Sequence, residues 1–117
     1  MGDKSETFCK AQRLYTETQY RLVFSNPARF STVYFTVLYR PNKTRFARLG
    51  LAISKKKIPK AVQRNRLKRR LRESFRLNQE HISSVDIVIL VKKYLPNLSR
   101  AAHDEIQSLL WVPLFDH

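Results

Sequence analysis

Two glycines, five prolines and a single cysteine in 117 residues leave little room for several kinds of protein. One thiol, Cys9, cannot close an intrachain disulfide or build a thiolate cluster for a structural metal, and it fits a reducing compartment. So few glycines and prolines weigh against a low-complexity or linker-like chain, and the length suits one domain. No stretch approaches the roughly 18 apolar residues of a membrane span, and the start, Met1-Gly2-Asp3-Lys4-Ser5-Glu6, has no apolar run behind it of the kind an export signal needs. The expectation is one cytoplasmic domain over 1–117, with 1–9 and 113–117 poorly ordered and no obligate protein partner evident.

Acid is also scarce: 9 Asp and Glu stand against 23 Lys and Arg, a net charge of +14 at neutral pH. That much like charge repels itself unless a polyanion neutralises it, so a nucleic acid is the expected partner, ahead of an anionic membrane or a merely solvated surface. The same scarcity bears on catalysis. Phosphodiester hydrolysis by a protein site needs a metal-binding carboxylate cluster or a paired acid and base. His81, His103 and His117 are scattered, His103-Asp104-Glu105 reads as solvated helix surface, and Asp86 opens an apolar run. No catalytic residue and no metal ligand is therefore assigned to the chain.

Periodicity then places the elements. Tyr20, Val23 and Phe24 recur at helical spacing behind Thr16-Glu17-Thr18-Gln19, which predicts a first helix over 16–25 that ends at Asn26-Pro27. Residues 33–39, VYFTVLY, read as a strand stopped by Arg40-Pro41-Asn42-Lys43. A second strand is expected at 46–54, where Leu49, Leu51 and Ile53 alternate with small or polar residues, and the two strands are expected to form a hairpin. Pro59 suits the first turn of a long helix reaching Leu77. VDIVILV at 85–91 reads as a central strand covered on both faces. Asn97 or Ser99 can cap a last helix over 99–111, with Ala102, Ile106, Leu109 and Leu110 as its apolar stripe. The pattern leaves open whether Ala28 to Ser31 adds an edge strand. Together these elements make an α+β domain, with helices laid on a small sheet.

The long helix carries the chemistry. From Lys55 to Arg76 there are eleven cations, Lys55, Lys56, Lys57, Lys60, Arg64, Arg66, Lys68, Arg69, Arg70, Arg72 and Arg76, against one acid, Glu73. Leu67, Leu71 and Phe75 fall within about 80° of arc and form the docking stripe. Asn65, Lys68, Arg69, Arg72 and Arg76 share an adjacent outward arc, with Glu73 at its border placed to orient a neighbouring arginine. Like charges at these spacings destabilise a helix unless an anion compensates, and the arginine fork suits phosphate. Ser54-Lys55-Lys56-Lys57 adds donors between strand and helix. Tyr20, Phe24, Phe35 and Tyr39 are candidates for stacking on unpaired bases, with a core role equally open for Phe24 and Phe35.

Arg64-Asn65-Arg66-Leu67-Lys68-Arg69, continued by Leu71-Arg72-Glu73-Ser74-Phe75-Arg76, resembles the Arg-Asn-Arg helix of the bacterial ribonuclease P protein family. Gly50-Leu51-Ala52-Ile53-Ser54-Lys55-Lys56 is similar to the strand end that precedes it there, and Tyr20-Arg21-Leu22-Val23-Phe24 to the first-helix aromatic pair. Asp86 to Lys93 resembles the family's late strand followed by basic residues. The resemblance implies three helices on a four-stranded sheet with a left-handed βαβ crossover. It also implies a partner RNA that carries the catalysis with Mg²⁺, the protein alone binding no cofactor.

On this resemblance Lys55, Lys56, Lys57, Lys60, Arg64, Asn65, Arg66, Lys68, Arg69, Arg72 and Arg76 would bind the ribozyme RNA. A cleft holding Tyr20, Phe24, Phe35, Tyr39, Ser54 and Lys56 would take the 5′ leader of precursor tRNA. Ile58-Pro59, where many members carry a glycine-containing loop, and a C-terminus without a basic tail depart from the pattern. A ribosomal or other structural RNA-binding protein would share the charge and the basic helix, but not their pairing with the Ser-Lys-Lys strand end.

Overall fold

Thr16 opens the first helix through a capping box: its hydroxyl accepts the Gln19 amide at 3.1 Å, and the Gln19 side chain accepts the Thr16 amide at 3.1 Å. It lies near the start of a computed structural model that describes residues 13, 14, 16–108 and 110–115. Helix α1 spans Glu17–Ser25, followed by β1 (Ala28–Ser31), β2 (Phe35–Pro41), β3 (Arg48–Ala52), α2 (Ala61–Asn78), β4 (Val85–Val91) and α3 (Arg100–Ser108). Among the described residues this is an α+β fold, three α-helices on a four-stranded mixed sheet of order β1-β2-β4-β3. β1 and β4 both run antiparallel to β2, while β3 runs parallel to β4 and reaches it through α2.

The hairpin expected between 33–39 and 46–54 does not form, because β4 lies between those strands. Six of its seven residues are buried, and a strand with no polar face is best placed where neighbours cover both edges and both faces. β2 pairs instead with β1, the edge strand that the pattern left open. It starts at Phe35 rather than Val33, since the Val33 and Tyr34 amides are taken by the Glu105 carboxylate at 3.0 and 3.2 Å. α2 begins at Ala61, two residues past Pro59. Lys60 before it is extended, and buried Ile58 is tied back by its amide to the Ser54 carbonyl at 3.0 Å.

α3 is capped by Ser99, whose hydroxyl accepts the Ala102 amide at 3.1 Å. It ends at Ser108, short of the expected Trp111, and the chain then closes in a 3-10 turn over Val112–Leu114 that contains Pro113. Ala102, Ile106 and Leu110 are buried as the stripe required, whereas Leu109 lies outside the described residues. Of the ends expected to be poorly ordered, 1–9, 116 and 117 also lie outside them. Residues 113–115 are described: Leu114 is buried, and its carbonyl accepts the Ser83 amide at 2.9 Å.

Strand alternation sorts two cores. Phe35, Val37, Leu49, Ile87 and Ile89 face Leu67, Leu71 and Phe75 of α2 and Ala102 and Ile106 of α3. On the opposite face Leu38 and Val88 meet Val23 of α1 and Leu14. α2 and α3 are joined through one hydroxyl: Ser74 donates to the Ile106 carbonyl at 2.9 Å and accepts the indole N–H of buried Trp111 at 2.8 Å. Ser74→Ala leaves both groups buried and unpaired. The expected loss is about 1 to 3 kcal/mol of stability, measured as a lower urea midpoint at unchanged denaturant dependence.

Candidate nucleic-acid interface

Burial of Leu67, Leu71 and Phe75 fixes the rotation of α2 and turns Asn65, Arg66, Arg69, Arg70 and Glu73 to solvent. Asn65 and Arg69 form a crest, because they line the hollows on both flanks of the helix. On the first flank Lys68, Arg72 and Arg76 join them around a hollow of about 400 Å³ that Arg13 closes. This is the outward arc read from the sequence. Deeper in, Arg13, Lys68 and Arg72 meet Tyr20 and Leu14 around a smaller space of about 260 Å³.

The electrostatics favour an incoming anion. Burial pushes the Arg72 guanidinium below its ordinary value, the Arg13 charge adds to the push, and Tyr20 opposes it. Glu73 pairs with Arg76, as its border position suggested, and that hydrogen bond holds its carboxyl below the ordinary range. Among the described residues no other carboxylate forms an ion pair with a cation of α2. A phosphate placed here would relieve that repulsion as well as gain hydrogen bonds.

Not every residue assigned to RNA is placed alike. Arg64 turns back, donating from one nitrogen to the Ile58 and Pro59 carbonyls at 2.9 and 2.8 Å, so it braces the turn ahead of α2. Lys57 is also partly committed, its ammonium donating to the Lys92 carbonyl at 3.1 Å. Lys55, Lys56 and Lys60 are exposed in that turn, and Arg66 lies on the second flank of α2.

The cleft residues divide between the two faces of the sheet. Phe35 is fully buried under α2 and α3, and Tyr39, on the same face, packs edge-on against Phe30 with ring centroids 6.0 Å apart. They alternate with Thr36, Leu38 and Arg40, so a cleft beside α1 excludes both, and their assignment to it is corrected. Tyr20 lies on the α1 face. Its hydroxyl accepts the Leu51 amide at 3.2 Å, and its ring covers Gly50 so closely that an added Cβ would stand 2.8 Å away. Phe24, on the next turn of α1, is 45% exposed.

Arg40 holds the other end of α1, donating to the Leu22 carbonyl at 2.7 Å and the Ser25 hydroxyl at 3.2 Å. Cross-strand register then defines what α1 leaves open. Ser31, Thr36, Leu90 and Ala52 form one row across all four strands, and the three of them on β2, β4 and β3 are half-buried. Two hydroxyl side chains, Leu90 and Ala52 thus floor a shallow, half-covered trough, with Tyr20 on α1 and the exposed Ser54 and Lys56 just beyond β3. Sequence reasoning missed Arg13, Thr36 and Leu90. Arg13 reaches the site through a parallel bridge to Leu49, a pairing that no local pattern announces.

The ribonuclease P family model matches residues 8–111. A ribonuclease P protein component from Pseudoalteromonas translucida (strain TAC 125) is 42% identical over 104 residues, spanning 89% of this chain and 74% of that one. Similar solved structures include two RNase P proteins. The RNase P protein of Staphylococcus aureus has a TM-score of 0.73 at 27% identity, covering 92% of this chain and 100% of that one. The RNase P protein of Thermotoga maritima has a TM-score of 0.63 at 30% identity, covering 86% of each chain.

Proposed function

This chain belongs to the ribonuclease P protein family, and on that premise we propose that it is the protein subunit of a ribonucleoprotein that removes the 5′ leader of precursor tRNA. α2 seats on the catalytic RNA, and the trough beside α1 holds the unpaired leader. The observation that carries this reading is the junction at Tyr20 and Arg72, which line one hollow and so join the cationic flank of α2 to the trough. A strand leaving the RNA surface runs from phosphate contacts onto an aromatic ring without crossing an acidic group described in that hollow.

The chemistry is assigned to the RNA and its Mg²⁺. Both buried carboxylates of the described chain are spent on structure: Asp86 accepts from Arg48 and Asn42, and Glu105 from the Val33 and Tyr34 amides. Among the described residues no three His, Cys, Asp or Glu side chains converge as metal ligands would. The protein's own work is to lower the repulsion between two polyanions and to lengthen the surface that holds the substrate.

Reconstitution tests the proposal. Added to a bacterial ribonuclease P RNA at low Mg²⁺, the protein restores cleavage of precursor tRNA at the mature 5′ end. No stimulation would remove the reading, and cleavage by the protein without RNA would reverse the division of labour. Within the reconstituted particle, Tyr20→Leu with Phe24→Leu weakens leader-bearing tRNA about tenfold or more relative to mature tRNA, from stacking worth about 1 to 3 kcal/mol per base. Gly50→Ala produces the same selective loss by displacing the Tyr20 ring. Equal losses for both tRNAs would take the leader away from this trough.

A further inference from the structure

The second flank of α2 faces α3 across a groove of about 810 Å³, lined by Arg66, Arg69, Arg70, His103, Asn78 and Gln107. Around His103 the cationic lining continues to Arg100. We infer that this groove is a separate contact for RNA backbone, in which Arg70, positioned by His103, and Arg66 grip a stretch of the folded RNA other than the one on the Arg13 flank. The inference rests on the RNA-binding reading and extends it to residues of α3.

Arg70 carries the argument. A guanidinium has donors only, so its contact of 3.0 Å with His103 Nδ1 makes that nitrogen the acceptor and leaves the imidazole as the Nε2–H tautomer. His103 therefore fixes the arginine fork without bringing a negative charge to it, and its Nε2–H is left as a further donor. The carboxylates at hand do not offset the groove. Glu73 lines it but pairs with Arg76, which belongs to the first flank, and Asp104 lies 3.9 Å from Arg100 in a widely exposed pair of the kind that holds little energy.

The chemistry of the lining selects the occupant. Val62, Leu77 and Ile106 are its three apolar members, against nine polar or charged ones that include Arg66, Arg69 and Arg70, a lining without the continuous apolar stripe on which an amphipathic helix docks. Arginine forks matched to phosphate oxygens, with amide side chains beside them, suit a sugar-phosphate chain. Geometry separates the two contacts: a helix with its side chains is about 10 to 12 Å across, and the Asn65–Arg69 crest stands between the flanks, so one strand does not follow both. α2 is a ridge between two RNA segments.

The test uses the full chain and in-vitro transcribed ribonuclease P RNA. Arg70→Gln with Arg100→Gln is expected to weaken binding about tenfold and to lower the log-log salt slope by roughly 0.7 to 0.9 per lost phosphate contact, with the urea midpoint unchanged. Arg70→Lys with Arg100→Lys keeps the slope. Unaltered affinity and slope in the glutamine variant, while the parent protein binds with strong salt dependence, would overturn the inference alone. A parent protein that shows no salt-dependent binding overturns the reading it rests on. Position is read separately, by tethering iron-EDTA to Gln107→Cys or Lys68→Cys in a Cys9→Ser background. Two non-overlapping sets of RNA cuts are expected, and one shared set would mean a single contact.

Discussion

Replacing Lys68, Arg69 and Arg72 together with glutamine will lower the affinity for ribonuclease P RNA at least about a hundredfold near physiological salt and flatten its salt dependence. Each phosphate contact that releases a counterion contributes roughly 0.7 to 0.9 to the log-log slope, so losing three removes about 2 to 2.7 of it. The affinity loss follows from charge-assisted hydrogen bonds worth about 1.5 to 3 kcal/mol each. The three residues share the flank that Arg13 closes, and none of them has a carboxylate partner in an ion pair among the described residues. Stability should hold or rise slightly, since the substitution also removes repulsion, including that between Arg72 and Arg13. Arg64→Gln behaves differently: it frees the Ile58 and Pro59 carbonyls, loosens the start of α2 and changes the slope little. A slope unchanged in the triple variant would show that α2 does not meet the RNA.

That contrast shows where the sequence was sufficient. The spacing of Leu67, Leu71 and Phe75 named the buried stripe of α2, and with it the flank of Asn65, Lys68, Arg69, Arg72 and Arg76, because a helix converts spacing into direction without help from the rest of the chain. The same logic recovered β4, whose apolar run admits only a central place. Pairing was less legible. Nothing local distinguishes a β2–β3 hairpin from two strands parted by β4, since the choice depends on which faces α2 and α1 cover. Arg64 sits in the motif as if it were one more phosphate ligand, and only the path of residues 54–60 shows what it holds.

Phe35 and Tyr39 fall outside the cleft for a more tractable reason. Phe35 and Tyr39 share one parity along β2 with Val37, and Thr36, Leu38 and Arg40 share the other. Once the most apolar set is assigned to the larger core, neither aromatic can reach α1. That alternation is legible in the sequence itself. Conversely, the trough depends on Ser31, Thr36, Leu90 and Ala52 falling in one row, which is a fact of register across four strands. Arg70 and His103 likewise stand 33 positions apart and meet only because α3 packs beside α2.

The largest effect on stability should come from Asp86→Ala, at about 3 kcal/mol or more. Asp86 is 6% exposed on the α1 face, next to Arg40 in the ladder, and its two oxygens accept from Arg48 Nε and Nη2, each at 2.7 Å, and from the Asn42 amide at 2.9 Å. Its removal leaves a guanidinium whose side chain is only 21% exposed without an anion, and frees the amide that holds the 42–46 loop through the Phe46 carbonyl. The Arg48 value is raised, first by the hydrogen bond to Asp86, against desolvation and with the Asp86 charge assisting. A raised base gives its full stabilisation below its unfolded value, which for arginine covers every pH at which the protein would be handled, so the pair does not weaken through deprotonation of Arg48. Urea unfolding near pH 7 reads the loss. Replacing both partners, Arg48→Met with Asp86→Leu, should cost much less, since no charge is then stranded; equal losses would mean that packing at these positions matters and the ion pair does not. Because α2 and its flanks take no part in this network, folded Asp86→Ala should bind RNA with the parent's salt slope, separating damage to the scaffold from damage to the interface.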